Sequence, residues 1–369
     1  MERQNNRANQ LQFLRFMAFC LIFLWHCKTY HLNFMPGGQG SACAVSFFFI
    51  LSGFTTGYSS FGKEYKLNIK EIFKELWRKI KKFYPLYIAI TLLMVIYSNI
   101  PLEIAKHQFM DLKGDIIQLI KNTLLIQSWF PQKYFSFCGV GWFLSSIMFL
   151  YLFNIPFKVL LNKIKKSKFR YIILILMFAI IITTTVVYSY LVRNLNLEFF
   201  DYVFPPARLG EYLCGMIAGF MILMILNESK PNKIFDKNVI NIIFTIIELL
   251  MLAFWVKSIY ASNEASYKSR LVMWLLPNFA LIIVFGFGKG YLSKIFENKY
   301  LKTLGDISFE CYLIHQMIIT VYISASKVTN ISKLGNIFSI SICFLITIIL
   351  AYIIHGRPLK NENKKIINN

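Results

Sequence analysis

The sequence predicts an all-α integral membrane protein, and three observations support this fold class. Of the 369 residues, 56% are hydrophobic and only 16% are charged, and the mean hydropathy is +0.53. The apolar residues form segments of about 20, the length at which a helix crosses about 30 Å of hydrocarbon. Lysine and arginine are concentrated in alternate connections between these segments. Such a composition excludes disordered, collagen-like and disulfide-rich secreted proteins, and the seven scattered cysteines have no metal-ligand spacing.

Ten segments are apolar enough and long enough to be membrane helices. In chain order they cover residues 10–28, 42–61, 83–99, 139–161, 170–192, 206–227, 238–256, 271–288, 304–325 and 336–354. The first segment follows basic residues, as a signal peptide does, but it contains Arg15 and has no small-residue cleavage site, so we expect it to remain as helix one. We predict a bundle of about ten helices in one transmembrane domain, residues 1–369.

The distribution of basic residues predicts which side of the membrane each connection occupies. The connections on the side of the two termini hold 27 lysines and arginines, whereas those on the opposite side hold 12. The positive-inside rule therefore places both termini, including the tail 356–369, in the cytoplasm of a multi-pass cell-membrane protein. The net charge of +22 reflects this asymmetry and an attraction to anionic membrane lipids, so we expect no nucleic-acid partner.

The longest connection, residues 100–138, is predicted to be external. Within it, Ile116, Ile117, Ile120 and Leu124 recur at helical spacing beside polar residues. This amphipathic pattern predicts a helix that lies in the membrane interface or re-enters the membrane, where it could form a lid.

Arg15 and His26 place ionisable groups in the first predicted span. They are eleven residues apart, close to three helical turns, so both side chains point the same way about 16 Å apart along the axis. Ionisable groups in a span need a partner, a cavity or a function. From periodicity alone the simpler explanation is structural, with Arg15 reaching the headgroups and His26 capping the outer interface.

Five blocks of sequence occur in a recognisable order between residues 14 and 315. The first is the Arg15, ten residues, His26 pattern. The others are AVSFFFILSGF at 44–54, RKIKKFYPLY at 78–87, WFL at 142–144 and LGDISFECYLIH at 304–315. The ordered set resembles the motifs of the acyltransferase-3 family, ten-helix membrane enzymes that O-acylate bacterial surface glycans.

Some positions depart from the family pattern. Ala44 replaces the usual glycine, and Lys79 and Lys82 are at positions where relatives often have a second arginine. A lysine binds phosphate as a point charge, without the two-pronged hydrogen bonding of arginine. The sequence has no Gly-Asp-Ser block, so we expect the form of the family without an appended SGNH-type hydrolase domain.

The resemblance implies transfer of an acyl group, with acetyl favoured, from cytoplasmic acetyl-CoA to a hydroxyl of a surface or lipid-linked carbohydrate at the outer face, without a metal. His26 would be the catalytic imidazole, because a group with a pKa near 6.5 can take a hydroxyl proton and return it to a thiolate. Arg15 would act with it and anchor the donor. The other donor-binding candidates are Arg78, Lys79, Lys82 and Trp142, and the weaker site candidates are Ser52, Glu310 and His315. Direct transfer is favoured, and an acyl-histidine intermediate stays open.

Structural roles compete with these functional ones. The basic cluster 78–82 could be a solvated cytoplasmic face, Trp142 could belong to the aromatic belt, and His315 could be a satisfied buried histidine. Small residues predict close helix packing at Ser52, Gly53, Gly215 and Gly219. Arg208 and Glu211 are three residues apart, which predicts an ion pair within one helix.

The alternative hypothesis is a transporter or flippase with a polar pathway. Its residues would be Arg15, His26, Glu248 and Glu310, since intramembrane histidines and carboxylates are typical of transporters. The ordered motifs, and the absence of paired Gly/Pro-interrupted spans in the two halves, favour the acyltransferase. Glu248 needs an interhelical partner or a proton, and its role is open, as are the acceptor sugar, the acyl chain and the oligomeric state.

Overall fold

The computed structural model of the protein describes residues 8–29, 32, 40–98, 112–228, 237–261, 270–329 and 335–356. All regular secondary structure in these residues is helical, which confirms the all-α fold class. The α-helices are α1 Leu11–Thr29, α2 Gly40–Tyr58, α3 Ile69–Ile80, α4 Tyr84–Ser98, α5 Leu112–Thr123, α6 Gly141–Tyr151, α7 Asn154–Lys165, α8 Arg170–Asn194, α9 Glu198–Tyr202, α10 Leu209–Glu228, α11 Lys237–Ala261, α12 Arg270–Phe287, α13 Tyr291–Phe296, α14 Lys299–Thr329 and α15 Asn336–Gly356. Short 3-10 helices lie at Gln127–Trp129 and Pro205–Arg208. The predicted tail lies outside the described residues after Gly356.

Seven of the described helical segments are long and apolar enough to cross a membrane. They are α1, α2, α8, α10 with the 3-10 turn before it, α11, α14 and α15. Two bent pairs, α3 with α4 and α6 with α7, raise the number to nine if each pair is one span. The described apolar part of α12, Trp274–Phe287, is shorter. The membrane class is confirmed, whereas the count of ten and the side of the termini stay predictions.

The prediction of one continuous helix over residues 139–161 is wrong. Helix α6 ends at Tyr151, α7 begins at Asn154, and the two are bent by 47°. Pro156 lies in the first turn of α7. A proline has no N–H to donate to the preceding turn, and its ring crowds that turn, so a straight helix cannot continue through it.

The segment 62–82, predicted as a connection, contains the amphipathic helix α3. Asn68 begins it, because its side chain accepts a hydrogen bond from the backbone N–H of Lys70 at 3.0 Å. Ile69, Phe73 and Trp77 form an exposed apolar stripe at a spacing of four residues. Helix α3 is bent by 55° from α4.

The amphipathic helix predicted in the long external connection is present as α5. Of the four apolar residues in the predicted pattern, Ile116, Ile117 and Ile120 lie in α5 and Leu124 directly follows it, and all four are exposed on the protein surface. An apolar stripe of this kind suits a membrane interface. Residues 100–111 lie outside the described part of the chain, and the external location of the connection stays a prediction.

The centre of the bundle is built on a close contact between α2 and α10. Both helices carry two glycines four residues apart, and a methyl group at any of them would lie within 2.2 Å of a backbone carbonyl oxygen of the other helix. These glycines are Gly53 and Gly57 on α2, and Gly215 and Gly219 on α10. The helices run parallel with touching backbones, which confirms the predicted role of small residues.

A buried ion pair strengthens the same contact. Arg208 and Glu211 lie 3.3 Å apart, and both side chains are almost fully buried. The hydroxyl of Ser46 on α2 donates to Glu211 at 2.8 Å. This confirms the predicted intrahelical pair and gives the buried carboxylate the partners that it needs.

The outer helices contrast with this centre. In the apolar segment of α2, 83% of the residues are buried inside the protein, whereas only 11% of those in α8 are buried. The exposed residues of α8 are mainly isoleucine, leucine and valine, as expected for a surface in contact with lipid. All seven cysteines are free and six are buried, in agreement with their prediction as small hydrophobic residues.

Helix α14 runs beside α1 in the same direction. Near its beginning Gly305 lies against the backbone of Gln12, since a methyl group there would be 2.1 Å from the Gln12 carbonyl oxygen. Further along, His315 of α14 contacts His26 of α1. The residues of the first and last motif blocks therefore lie side by side on these two helices, and this arrangement positions the candidate site.

Candidate active site

Helix α1 carries the two principal candidates into two different cavities. It is continuous from Leu11 to Thr29, so the three-turn separation predicted for Arg15 and His26 is preserved. Arg15 lines a cavity of about 200 Å³, and His26 lines a second cavity of about 260 Å³. The two residues thus share one helix but do not share a pocket.

The Arg15 cavity lies between α1, α2, α6 and α14. Its polar lining includes Gln12, Ser52 and Tyr151. Within the described part of the chain, the Arg15 guanidinium has neither a hydrogen bond nor an ion pair, and the side chain is only half-buried. An unpaired guanidinium beside an open cavity is suited to bind an anion such as phosphate. Ser52, a weaker candidate, is in a position to join it.

The basic residues at the end of α3 have different surroundings. Lys79 approaches the Arg15 cavity, because its Nζ lies 5.2 Å from the ring centroid of Tyr151. Arg78 is instead paired with Glu75, with its Nε at 3.0 Å from the carboxylate. Glu75 also binds Lys158 of α7 at 3.0 Å, so this carboxylate links α3 to α7. Lys82 is exposed.

The His26 cavity has an aromatic and a polar side. Its aromatic lining includes Trp142 and Tyr202, whose ring centroids are 5.0 Å apart. Its polar lining includes Ser41 and Gln316. Trp142, predicted as a contact of the donor, is therefore placed with His26 and away from Arg15.

His315 is the direct partner of His26. Its Nε2 atom lies 2.9 Å from Nδ1 of His26. Its Nδ1 atom lies 2.7 Å from the carbonyl oxygen of Tyr312 and 3.2 Å from that of Cys311. A carbonyl oxygen only accepts hydrogen bonds, so Nδ1 of His315 carries the proton and its Nε2 is an acceptor.

This assignment fixes the tautomer of His26. Its Nδ1 must donate to His315, and the same N–H can be shared with the carbonyl oxygen of Ile22 at 3.1 Å. In the neutral imidazole the remaining atom, Nε2, then carries the lone pair. His26 is therefore arranged as a base at Nε2, which no sequence spacing could reveal.

Three aromatic rings lie in mutual contact where the two cavities approach each other. Phe48 and Phe143 line the Arg15 cavity, whereas Tyr312 lines the His26 cavity. The ring centroid of Phe143 is 6.3 Å from that of Phe48 and 5.6 Å from that of Tyr312, and the Phe48 and Tyr312 centroids are 6.2 Å apart. A chain-like molecule extending from one cavity to the other would have to pass these rings.

The two carboxylates of the alternative polar pathway line neither cavity, although Glu310 interacts electrostatically with Arg15. Glu310 accepts a hydrogen bond from His355 of α15 at 2.9 Å. Glu248 accepts from the backbone N–H groups of Gly290 and Ser293 and from the Ser293 hydroxyl. The partner that Glu248 requires is thus the beginning of α13, which indicates a structural role.

Among the described residues, no group of three or more histidine, cysteine, aspartate and glutamate side chains could hold a metal ion. Two further residues of the site are not predicted by any sequence pattern. One is Gln316, which follows the motif histidine directly, and the other is Tyr202, which lies outside every motif block. Both reach the His26 cavity only through tertiary packing.

Comparisons with known proteins agree with the motif blocks. The profile of a family described as an acyltransferase domain, acyltransferase 3, matches residues 9–356. The chain is 25% identical over 337 residues to the peptidoglycan O-acetyltransferase OatA of Listeria monocytogenes serovar 1/2a. That alignment covers 86% of this chain and 51% of the relative, so the chain spans about half the length of the curated protein that it matches. No solved structure matches. Since the family profile covers nearly the whole sequence, the chain belongs to the acyltransferase-3 family.

Proposed function

We propose that the chain is a membrane O-acyltransferase that moves an acetyl group from cytoplasmic acetyl-CoA to a hydroxyl of a surface or lipid-linked carbohydrate at the outer face. One observation carries the proposal. A single helix presents an unpaired arginine to one cavity and a tautomer-fixed histidine to another. This arrangement separates the binding of an anionic donor from the chemistry on the acceptor. The Listeria relative, a peptidoglycan O-acetyltransferase, suggests a cell-surface glycan as the acceptor class.

In the proposed reaction, the phosphate end of acetyl-CoA binds in the Arg15 cavity. Coenzyme A has phosphate groups at one end and a thioester at the end of an extended arm. Arg15 would bind phosphate with help from Lys79, while Lys82 at the exposed end of the basic cluster adds charge nearby. Arg78 contributes less, because Glu75 offsets its charge. The arm would extend along α1, past the Phe48, Phe143 and Tyr312 rings, toward His26.

His26 carries out the proton transfers of the reaction. Its Nε2 atom takes the proton of the acceptor hydroxyl while that oxygen bonds to the thioester carbonyl carbon. The carbon–sulfur bond then breaks, and the imidazolium returns the proton to the leaving thiolate. His315 holds the imidazole in the reactive tautomer throughout. We favour this direct transfer, and acid-quenched protein analysed by mass spectrometry should contain no acetylated His26.

The test uses the purified full-length protein in lipid nanodiscs with radiolabelled acetyl-CoA and oligosaccharide acceptors. Both His26→Ala and His26→Gln should lower the transfer rate by about 10² to 10⁴-fold, the usual contribution of a general base. Donor binding should survive, because Arg15 is unchanged. His355→Gln is the matched control, since that histidine lines neither cavity. Transfer by the His26 variants within about threefold of the wild type would contradict the mechanism and direct attention to His315.

A further inference from the structure

The side-chain amide of Gln316 has a polar atom that the fold leaves without a partner. Its Oε1 atom is buried and has no hydrogen bond within the described part of the chain. Gln316 lines the His26 cavity and does not line the Arg15 cavity. A buried acceptor without a partner is unfavourable unless a ligand or water supplies the missing hydrogen bond. Because Gln316 lines the His26 cavity, a ligand bound in that cavity is in a position to supply this hydrogen bond.

Gly139 makes room for this amide. A methyl group at Gly139 would lie 2.6 Å from Oε1 and 2.7 Å from Nε2 of Gln316. The amide therefore packs directly on the backbone that leads into α6, and any larger residue at 139 would move it. Gln316 also follows His315 in the same helix, so the amide is held at a fixed place relative to the His26–His315 pair.

Other residues that line this cavity are aromatic. Trp142 and Tyr202 are in ring contact, and the exposed ring of Phe135 lies 6.4 Å from that of Trp142 by centroid distance. A sugar has apolar C–H faces that pack on aromatic rings and hydroxyls around its edge that need hydrogen-bond partners. A cavity lined both by aromatic rings and by a glutamine with an unpartnered carbonyl oxygen suits both parts of such a molecule.

We infer that Gln316 is a positioning residue for the carbohydrate acceptor. Its Oε1 accepts a hydrogen bond from a second hydroxyl of the sugar, whose ring packs against Trp142 and Tyr202. The hydroxyl to be acylated then meets Nε2 of His26. This inference rests on the proposed function and adds to it the side chain that selects and orients the acceptor.

The experiment compares four variants in the nanodisc assay, with cell-wall fragments, a chito-oligosaccharide and a glucan as soluble acceptors. Gln316→Met keeps the length of the side chain and removes the acceptor oxygen, whereas Gln316→Glu keeps an oxygen. Gly139→Ala displaces the amide without changing it. Gln118→Met is the matched control, because Gln118 is also buried with an unpartnered Oε1 but lines neither cavity.

For the acceptor that gives the highest wild-type rate, Gln316→Met and Gly139→Ala should raise the acceptor KM about tenfold. Gln316→Glu should be less affected than Gln316→Met. In all four variants the KM for acetyl-CoA should stay within twofold of the wild type. An acceptor KM unchanged in Gln316→Met, or a donor KM raised equally, would overturn the inference. A wild-type protein that labels none of the glycans would instead overturn the proposed function.

Discussion

Arg15 forms no direct hydrogen bond or ion pair among the described residues and interacts with Glu310 and Asp306 only over longer distances, although it lies in a segment where an ionised group is costly. An arginine that only reaches the lipid headgroups does not require a cavity beside its guanidinium group. The presence of Gln12, Ser52 and Tyr151 around the same space favours a bound anion instead. The role of Arg15 as an anion-binding residue stays a prediction that donor-binding measurements can test.

Arg15→Ala should weaken the binding of acetyl-CoA by about ten- to a hundredfold, the usual loss for a hydrogen bond to a charged group. Arg15→Lys should retain more binding, because the charge remains while the two-pronged geometry is lost. Donor affinity can be measured by isothermal titration calorimetry on the protein in nanodiscs. Arg170→Ala serves as the control, since Arg170 pairs with Glu228 and lines neither cavity. Equal affinities in the wild type and Arg15→Ala would indicate a headgroup anchor.

His315 should act through the tautomer of His26. Removing its acceptor nitrogen in His315→Leu frees the His26 ring to rotate or to carry its proton on the other nitrogen, so we expect kcat to fall about ten- to a hundredfold. This is the cost typical of losing the outer partner of a metal-bound histidine. His315→Gln offers an amide oxygen as a replacement acceptor and should recover part of the loss, with the KM for acetyl-CoA unchanged.

Steady-state kinetics and thermal unfolding of both His315 variants check this prediction together. A merely structural role would lower the melting temperature in both variants without a difference in kcat between them. If His315→Gln were as slow as His315→Leu at equal stability, the acceptor role would be excluded.

At the scale of elements, the contact between α2 and α10 depends on four glycines. The sequence predicted the close packing at three of them, because small residues in a span have few other uses. It did not predict the parallel pairing of these two helices. Such a pairing depends on the register of two segments more than 150 residues apart, and no local pattern encodes it.

Gly57→Ala should destabilise the bundle. A methyl group there would lie 2.0 Å from the Met216 carbonyl oxygen, so the two backbones must separate. Overpacking of this kind costs about 1–3 kcal/mol, and the melting temperature in detergent should fall by several degrees. Gly356→Ala is the control, because nothing in the described part of the chain lies within 4 Å of the added methyl group. Identical melting temperatures would show that the helices separate without cost.

The bend between α6 and α7 and the helix α3 show which helix boundaries could be predicted from the sequence. The apolar run over 139–161 is long enough for one span, and its bend at 47° follows from Pro156, a local signal that hydropathy averages conceal. Helix α3 was not predicted, because its hydropathy is too low rather than too high. Its exposed apolar stripe is mixed with lysines, so it is too polar for a span, and only the helical spacing of Ile69, Phe73 and Trp77 predicts it.

The two cavities lie toward opposite ends of α1. The Arg15 cavity is approached by Lys79 of α3, within segment 62–82. The His26 cavity is lined by Phe135, within connection 100–138. The motifs predicted the residues of both ends, but not their separation into two chambers with aromatic rings between them. That arrangement arises from α2, α6 and α14 meeting around α1, which only the tertiary fold determines.

The orientation of the molecule follows from the same two segments and can be tested with them. The basic segment 62–82 should lie in the cytoplasm with the donor cavity, and the connection 100–138 should lie outside with the acceptor cavity. Single cysteines at Lys66 and Lys133, both exposed, would be introduced into a cysteine-free variant that keeps its activity. In intact cells an impermeant thiol reagent should label position 133 and spare position 66, and permeabilised cells should show labelling at both. Labelling of position 66 alone would reverse the orientation, and the donor cavity would then open away from the cytoplasmic pool of acetyl-CoA that the proposed reaction requires.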